Sequence, residues 1–408
     1  MQSKLKTGTP NHTALVLTAG GARGAYQAGV LKRISELPPF NNKTAPFSII
    51  TGASAGAING AGVASQHENF TASSKLLVKL WSNLEAANVY RTDPGAMFQN
   101  AIKLALDFGL GGLVGAGRAS SLVDSSPLYH FLTDSLNLDG IRHNVKRGQL
   151  HALAITATGY HSGRAFTFIE GKPGHAVWNK SRRVALSAEI TIPHILASAA
   201  IPIVFPPVEL KAGVSTAFFG DGAMRLTTPL SPAIRLGATK LLAVGVRCQE
   251  SANSLLRSEW SDDEDFSANL KRPPLSQIVG TLMNAIFLDH LDADLDHLKR
   301  MNLFVTEHEK LASLVEMLEQ SDDDHEPMRI VEPLVISPSA DIAIIAKTLQ
   351  HRLPKSVRYM MDGLGTPDAQ SADLTSFLLF DKEFTRELIQ LGYRDAAQRS
   401  DEIEAFLL

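Results

Sequence analysis

Residues 46–60 read PFSIITGASAGAING. PFSIITG (Pro46–Gly52) is a short apolar run closing on glycine, the form of a buried parallel strand. AGAINGAGVASQ (Ala55–Gln66) follows as a helix of small residues, able to lie close against a sheet. Between them, Gly52-x-Ser54-x-Gly56 places one serine on the strand-to-helix turn. The same unit stands upstream: ALVLTAGG (Ala14–Gly21) is a strand, and AYQAGVLKRISEL (Ala25–Leu37) is a helix stopped by Pro38-Pro39. Strand, glycine turn and helix, twice over, predict an α/β fold.

Working outward, apolar runs predict further strands at His151–Gly159, Arg164–Glu170, Thr216–Gly222 and Thr239–Arg247. Residues 69–144 read as a helical lid or insert. They contain AIKLALDFGLGGLVGAG (Ala101–Gly117), an apolar stretch broken by glycines that suits either a core helix with a loop or the rim of a site. SQIVGTLMNAIFLDHLDADLDHLKRMN (Ser276–Asn302) reads as one long amphipathic helix, with Ile278, Leu282, Ile286, Leu291, Leu295 and Leu298 along one side. The acidic runs Ser258–Ser267 and Glu319–Pro327 read as solvated loops. The tail from Leu374 to Leu408 reads as helical.

A serine hydroxyl is a weak nucleophile at neutral pH. It needs a base, and donors for the oxyanion that forms on the attacked carbonyl. A strand-to-helix elbow lifts the serine out of the sheet and aims it along a helix N-terminus. The turn is crowded, and Gly52, Ala53, Ala55 and Gly56 keep its flanks small. AGGARGAYQAGVL (Ala19–Leu31) exposes backbone N–H groups at a second helix start, where Gly20 and Gly21 suit an oxyanion. Arg23 there either holds the loop or meets a substrate phosphate, and a purely structural glycine turn is the bland alternative. FFGDGAMRLTTPL (Phe218–Leu230) ends a strand on Asp221, at the carboxyl edge where catalytic groups of α/β sheets gather. Asp221 is either a base for the serine or an aspartate of an ordinary turn.

Several classes fall away. Net charge is −3, so no basic field recommends nucleic acid. The single cysteine, Cys248, excludes a disulfide framework, and the thirteen histidines show no HExxH or H-x-x-x-H spacing. Ala19-Gly20-Gly21-Ala22-Arg23-Gly24 lacks the first glycine of a dinucleotide fingerprint, and no Gly-Lys-Ser/Thr marks a P-loop. No cofactor and no metal are expected. The start shows no convincing signal peptide and no run long enough to span a membrane, so a cytoplasmic protein is the default.

The glycine loop GGARGAYQAGVL, the elbow GASAGA and the DGA of Asp221–Ala223, in this order, resemble the patatin-like phospholipase family. ILASAAIPIVFPPVEL (Ile195–Leu210) looks like that family's segment before the aspartate. The resemblance covers roughly Leu15 to Arg247, and Ala19 departs from it by replacing the first glycine of the usual loop. It implies a three-layer α/β/α fold with a mainly parallel sheet, extended here by a largely helical C-terminal region. It implies a serine lipid acyl hydrolase, a carboxylic ester hydrolase with a Ser54–Asp221 dyad. Ser54 would be the nucleophile, Asp221 the base, and the Gly20 and Gly21 amides the oxyanion hole. Arg23, Gly24, Gly52, Gly56 and Gly222 would support them. The substrate would be a phospholipid or lysophospholipid, met through peripheral membrane contact.

The expected domain plan is a tail over 1–12, a catalytic domain over 13–250 and a C-terminal region over 251–408, which could also serve homo-oligomer formation. An acyltransferase with the same serine, or a non-catalytic lipid-binding regulator, stands as the alternative. A classical hydrolase triad would need a histidine after the acid. His290 and His297 fall on the predicted amphipathic helix, and His194 precedes ILASAAIP without a catalytic setting. A carboxylate base titrates near pH 4 when exposed, so the dyad requires Asp221 to be partly buried and bonded to Ser54. A pH–rate profile without a limb at about pH 6–7 is the expected signature.

Overall fold

The computed structural model describes residues 12–91, 95, 121–213, 215–248, 275–288, 290–314, 329–363 and 372–408. The stretches Ala101–Gly117, Ser258–Ser267 and Glu319–Pro327 lie outside the described residues. Among the described residues, nine strands form one sheet: β1 (His12–Leu17), β2 (Ile49–Ala53), β3 (Ala152–Gly159), β4 (Arg164–Gly171), β5 (Arg183–Ser187), β6 (Val208–Ala212), β7 (Ser215–Asp221), β8 (Ala238–Val244) and β9 (Glu332–Ile336). The main path runs β5-β4-β3-β2-β1-β8-β9, with β7 and then β6 branching from β3. The block β3-β2-β1-β8-β9 is parallel throughout. β4 and β7 both run antiparallel to β3.

The helices that shape the site are α1 (Gly24–Ser35), α2 (Ala55–Ser65), α3 (Phe70–Ser82), α4 (Ser126–Ser135), α5 (Ile192–Ala199), α6 (Ser231–Arg235), α7 (Leu275–Phe287), α8 (His290–Leu314), α9 (Ala372–Leu378) and α10 (Lys382–Gln398). Strand alternation gives the sheet two buried faces. Leu15 and Leu17 point into the larger core, with α1, α2, α3 and α10. Ala14 and Val16 point to the other side, where α6 and α8 pack through Ala233, Leu291, Leu295 and Leu298. The layered α/β/α architecture expected of the sequence is present, and so is the helical C-terminal region.

Beyond Cys248 the chain enters the same body. β9 pairs with β8 as an edge strand, where Pro333 is tolerated because one side of the strand has no partner. α10 lies against α1 backbone to backbone: a Cβ on Gly29 would meet the Ile389 carbonyl oxygen at 2.0 Å, and one on Gly392 the Tyr26 oxygen at 2.1 Å.

Three strands fall outside the predicted set. β5, β6 and β9 are five residues each and lie at the margins of the sheet, so their apolar runs are too short to stand out. The long helix over Ser276–Asn302 is instead two helices, α7 and α8. Leu291, Leu295 and Leu298 are buried as expected, but Ile278 and Leu282 are 53% and 58% exposed. α7 turns a different face inward: Ser276, Gly280 and Phe287 are buried, Val279 and Met283 pack on the core, and Gly280 approaches α9 at Asp373 and Leu374. Close approach at Gly280 selects an apolar face turned round the helix from the predicted stripe.

Candidate active site

β2 carries Ile49–Ala53 into the sheet, and the chain reverses at Ser54 into α2. Ser54 has φ 55° and ψ −124°, in the left-handed region that side chains rarely adopt. Such strain persists only where its surroundings enforce it. Here a Cβ on Gly52 would lie 2.2 Å from the Gly56 carbonyl oxygen, and one on Gly56 2.1 Å from that of Leu17. The predicted small flanks are therefore what lets the elbow close. Gly24 and Gly222 follow the same rule, with the Ala55 Cβ and the Thr156 oxygen in the way at 2.5 and 2.0 Å.

The sheet register brings the aspartate to the serine. Thr156 of β3 pairs with Ala53 of β2, and the next residue, Ala157, pairs with Asp221 of β7. β3 thus exchanges one neighbour for the other, and Ser54 and Asp221 meet at the exchange. Asp221 is fully buried, and burial pushes its carboxyl up from 3.8 to about 7. The Ser54 hydroxyl and the Ala223 N–H pull the other way. Ala223 donates to Oδ1 at 2.9 Å. Oδ2 is buried without a hydrogen-bond partner.

Gly20 and Gly21 open a short 3₁₀ turn over Gly21–Arg23, ahead of α1. Gly21 has φ +56°, and a Cβ there would strike the Phe377 carbonyl oxygen at 2.4 Å. Gly21 and Ser54 line one apolar cavity with Trp81, Leu132, Phe205 and Phe380. Its volume is about 30 Å³, room for little more than a water molecule. Among the described residues no histidine lines it. His194 caps α5 through Thr191, and burial against Phe168 lowers its pKa to about 4. It is a half-buried residue whose burial favours the neutral ring. Among the described residues no cluster of three metal-ligating side chains occurs.

The patatin-like phospholipase family model matches residues 15–234. The chain belongs to that family. Family membership makes it a lipid hydrolase, broadly an ester hydrolase. Solved structures resemble it more distantly. VipD from Legionella pneumophila shows 13% identity and a TM-score of 0.29, over 95% of this chain and 69% of VipD. Human GIVD cytosolic phospholipase A2, solved with a fluorophosphonate inhibitor, shows 12% identity and a TM-score of 0.41. That match covers 100% of this chain but 60% of the human one. ExoU from Pseudomonas aeruginosa, in complex with SpcU, shows 13% identity and a TM-score of 0.27, over 96% of this chain and 78% of the other. No curated protein matches.

Several polar residues of this patatin-like chain serve the site without standing out in the sequence. Ser54 N–H donates to Ser198 Oγ at 3.0 Å, and Ser198 Oγ donates to the Thr156 carbonyl at 2.6 Å. Two residues on, the Ala200 carbonyl accepts the Asp221 N–H at 2.9 Å. The end of α5 therefore braces both members of the pair. Beneath the glycine loop, Gln27 donates to the Thr18 and Val244 carbonyls, Asn59 donates to Gln27 Oε1 and the Gly24 carbonyl, and Trp81 donates to Asn59. The available signal was the amide side chain within an otherwise apolar helix, as in AYQAGVL and AGAINGAG. A buried amide needs partners.

Arg23 holds the loop. It is buried, with Nε donating to Ser376 Oγ at 2.7 Å, Nη2 to Asp373 at 2.8 Å, and its guanidinium 4.6 Å from the Phe377 ring centre. All three partners belong to α9, the helix whose Phe377 carbonyl presses on Gly21. Arg23→Met keeps the stem and loses the polar grip. The expected result is faster amide hydrogen exchange over residues 372–378 and roughly tenfold slower fluorophosphonate labelling of Ser54, since small displacements at a reacting centre are costly. Unchanged exchange in α9 would refute this role for Arg23.

Proposed function

We propose that the chain is a serine lipid acyl hydrolase of the phospholipase A or lysophospholipase type, working through Ser54 and Asp221. One observation carries the reading. A fully buried carboxyl, its pKa raised to about 7, stands beside a serine on a strained elbow, and that serine lines an apolar cavity. Ser54 Oγ attacks the acyl carbonyl while Asp221 accepts the hydroxyl proton. The C–O bond then breaks, and Asp221 returns the proton to the leaving glycerol oxygen. Water releases the fatty acid from acyl-Ser54 by the reverse sequence. The Gly20 and Gly21 amides receive the oxyanion. The cavity holds the acyl chain, and its small volume requires Trp81, Phe205 or Phe380 to move aside.

The lipid surface meets α7 in this reading. That helix carries no charged residue, and Leu275, Ile278 and Leu282 stand exposed on it. It packs beside the turn that follows Asp221. Among the described residues no helix is long and apolar enough to cross a membrane, so contact is peripheral. Leu282→Glu is expected to lower activity on vesicles several-fold while leaving a soluble ester substrate unaffected. Equal loss on both substrates would count against the assignment. The decisive test is fatty-acid release from a panel of phospholipids and lysophospholipids by the wild type, Ser54→Ala and Asp221→Asn. Transfer of the acyl group to an added alcohol, in preference to water, would instead favour the transacylase.

A further inference from the structure

A second, larger cavity lies away from Ser54. Its volume is about 520 Å³, within the roughly 300–1,000 Å³ typical of small-molecule sites. Leu236, Leu298 and Val331, which line it, belong to the core on the opposite face of the sheet. Gly237 and Val331 place it at the amino ends of β8 and β9, whereas Ser54 follows the carboxyl end of β2.

One wall is apolar, built from buried Leu298, Val305 and Val331. The other carries Arg183, Arg235 and Arg329 against a single carboxylate, Asp294. Asp294 is engaged already, with Oδ2 accepting the Leu230 N–H at 2.8 Å. Arg183 Nη1 donates to Thr228 Oγ1 at 2.7 Å and Ser231 Oγ at 2.9 Å, and neither hydroxyl balances its charge. Arg329 donates to the Ile234 carbonyl, and its Nε is buried without a partner. Among the described residues neither Arg183 nor Arg329 makes an ion pair. Burial lowers the Arg183 pKa, the neighbouring Arg235 lowers it further, and Asp294 opposes both.

Arg183 and Arg329 are partly buried, and the one carboxylate nearby, Asp294, acts on Arg183 but is shared with the other cations of the wall. Partly desolvated cations in excess of their counter-charge are costly. A merely structural role, clamping α6 to β5 and to the chain just before β9 through Ser231 and Ile234, leaves the Arg329 Nε without a partner and the cavity beside it without a purpose. A bound anion satisfies both. Guanidinium forks grip phosphate oxygens in pairs. Arg183, Arg235 and Arg329 against Asp294 alone leave an excess of positive charge, which matches a dianion better than a single carboxylate. We propose that this cavity binds a phosphate monoester bearing a short apolar group, its phosphate at Arg183 and Arg329 and its apolar part on Leu298, Val305 and Val331.

The proposal stands apart from the hydrolase reading, and its test keeps the two separate. Hexyl phosphate, inorganic phosphate and hexanoate are titrated into the wild type and Ser54→Ala, with heat of binding and thermal midpoint recorded. Hexyl phosphate is expected to bind both proteins equally. Inorganic phosphate and hexanoate are each expected to bind at least about tenfold more weakly, each lacking one half of the recognition. Arg183→Gln and Arg329→Gln each lower hexyl phosphate affinity by about tenfold or more, and Arg329→Lys, which retains the charge, lowers it less. Val305→Phe, filling the cavity from its apolar side, also removes binding, so the test does not hang on the arginine variants folding. Absence of hexyl phosphate binding to the wild type overturns the proposal. So does equal affinity in the wild type, both glutamine variants and Val305→Phe, or loss of binding in Ser54→Ala.

Discussion

Ser54→Ala is expected to abolish hydrolysis, with kcat lower by about 10³-fold or more and fluorophosphonate labelling lost. The acyl-enzyme cannot form without the hydroxyl, and the pocket offers no replacement among its described lining, which is otherwise glycine, alanine and apolar side chains. The fold should survive, because the backbone at Ser54 is held by Ser198 and by the close approach of Gly52 and Gly56. Ser54→Gly separates chemistry from strain. Glycine takes φ 55° without steric cost, so this variant should be equally inactive yet more stable, by roughly 1 kcal/mol. Chemical denaturation measures that difference. A Ser54→Ala protein that still releases fatty acid at near the wild-type rate would remove Ser54 from the mechanism.

Asp221→Asn carries the second large effect, and here activity and stability move oppositely. Asparagine cannot accept the serine proton, so kcat should fall by about 10³-fold or more. Stability follows from the carboxyl pKa. The folded chain keeps the Asp221 proton up to about pH 7, while the unfolded chain releases it near 3.8. Between those values the unfolded state binds fewer protons, so wild-type stability declines as pH rises and levels off above 7. The rise from 3.8 to about 7 amounts to roughly 4 kcal/mol. The asparagine side chain never ionises, so the variant's stability advantage over the wild type should be absent below about pH 4 and largest above about pH 8. Denaturant midpoints across that range provide the check, and a gap that stays constant with pH would contradict the buried, proton-holding carboxyl.

The same pKa corrects an expectation drawn from the sequence. A dyad without histidine was to show no activity limb at about pH 6–7. The buried Asp221 itself titrates at about 7, so the limb is expected, with activity rising as the carboxyl ionises. Its temperature dependence tells the groups apart: carboxyl ionisation is nearly athermal, whereas imidazole ionisation is not.

Much of the site is legible in PFSIITGASAGAING, because an elbow needs tiny neighbours and tiny neighbours are visible as letters. The glycine loop and the strand ending on Asp221 are legible for the same reason. Ser198, Gln27 and Asn59 are not, since a buried hydroxyl or amide shows its meaning only through partners distant in the chain. The letters around Arg23 allow either loop or substrate, and α9, some 350 residues later, decides for the loop. The buried face of α7 is hidden in the sequence because two apolar faces, one through Ile278 and Leu282 and one through Val279, Met283 and Phe287, compete for burial, and only the neighbouring helix determines which one wins.

By itself the sequence determined the α/β class, the position of the elbow and the chemical types at the site, since these rest on local periodicity and on the size of adjacent side chains. The tertiary structure alone decided that Asp221 comes to Ser54, through the step at which β3 exchanges Ala53 for Asp221 as its neighbour. It alone raised the carboxyl pKa, because burial is a property of the packed sheet and its helices. It also assembled the Arg183 and Arg329 cavity from segments far apart in the chain, which no local pattern joins.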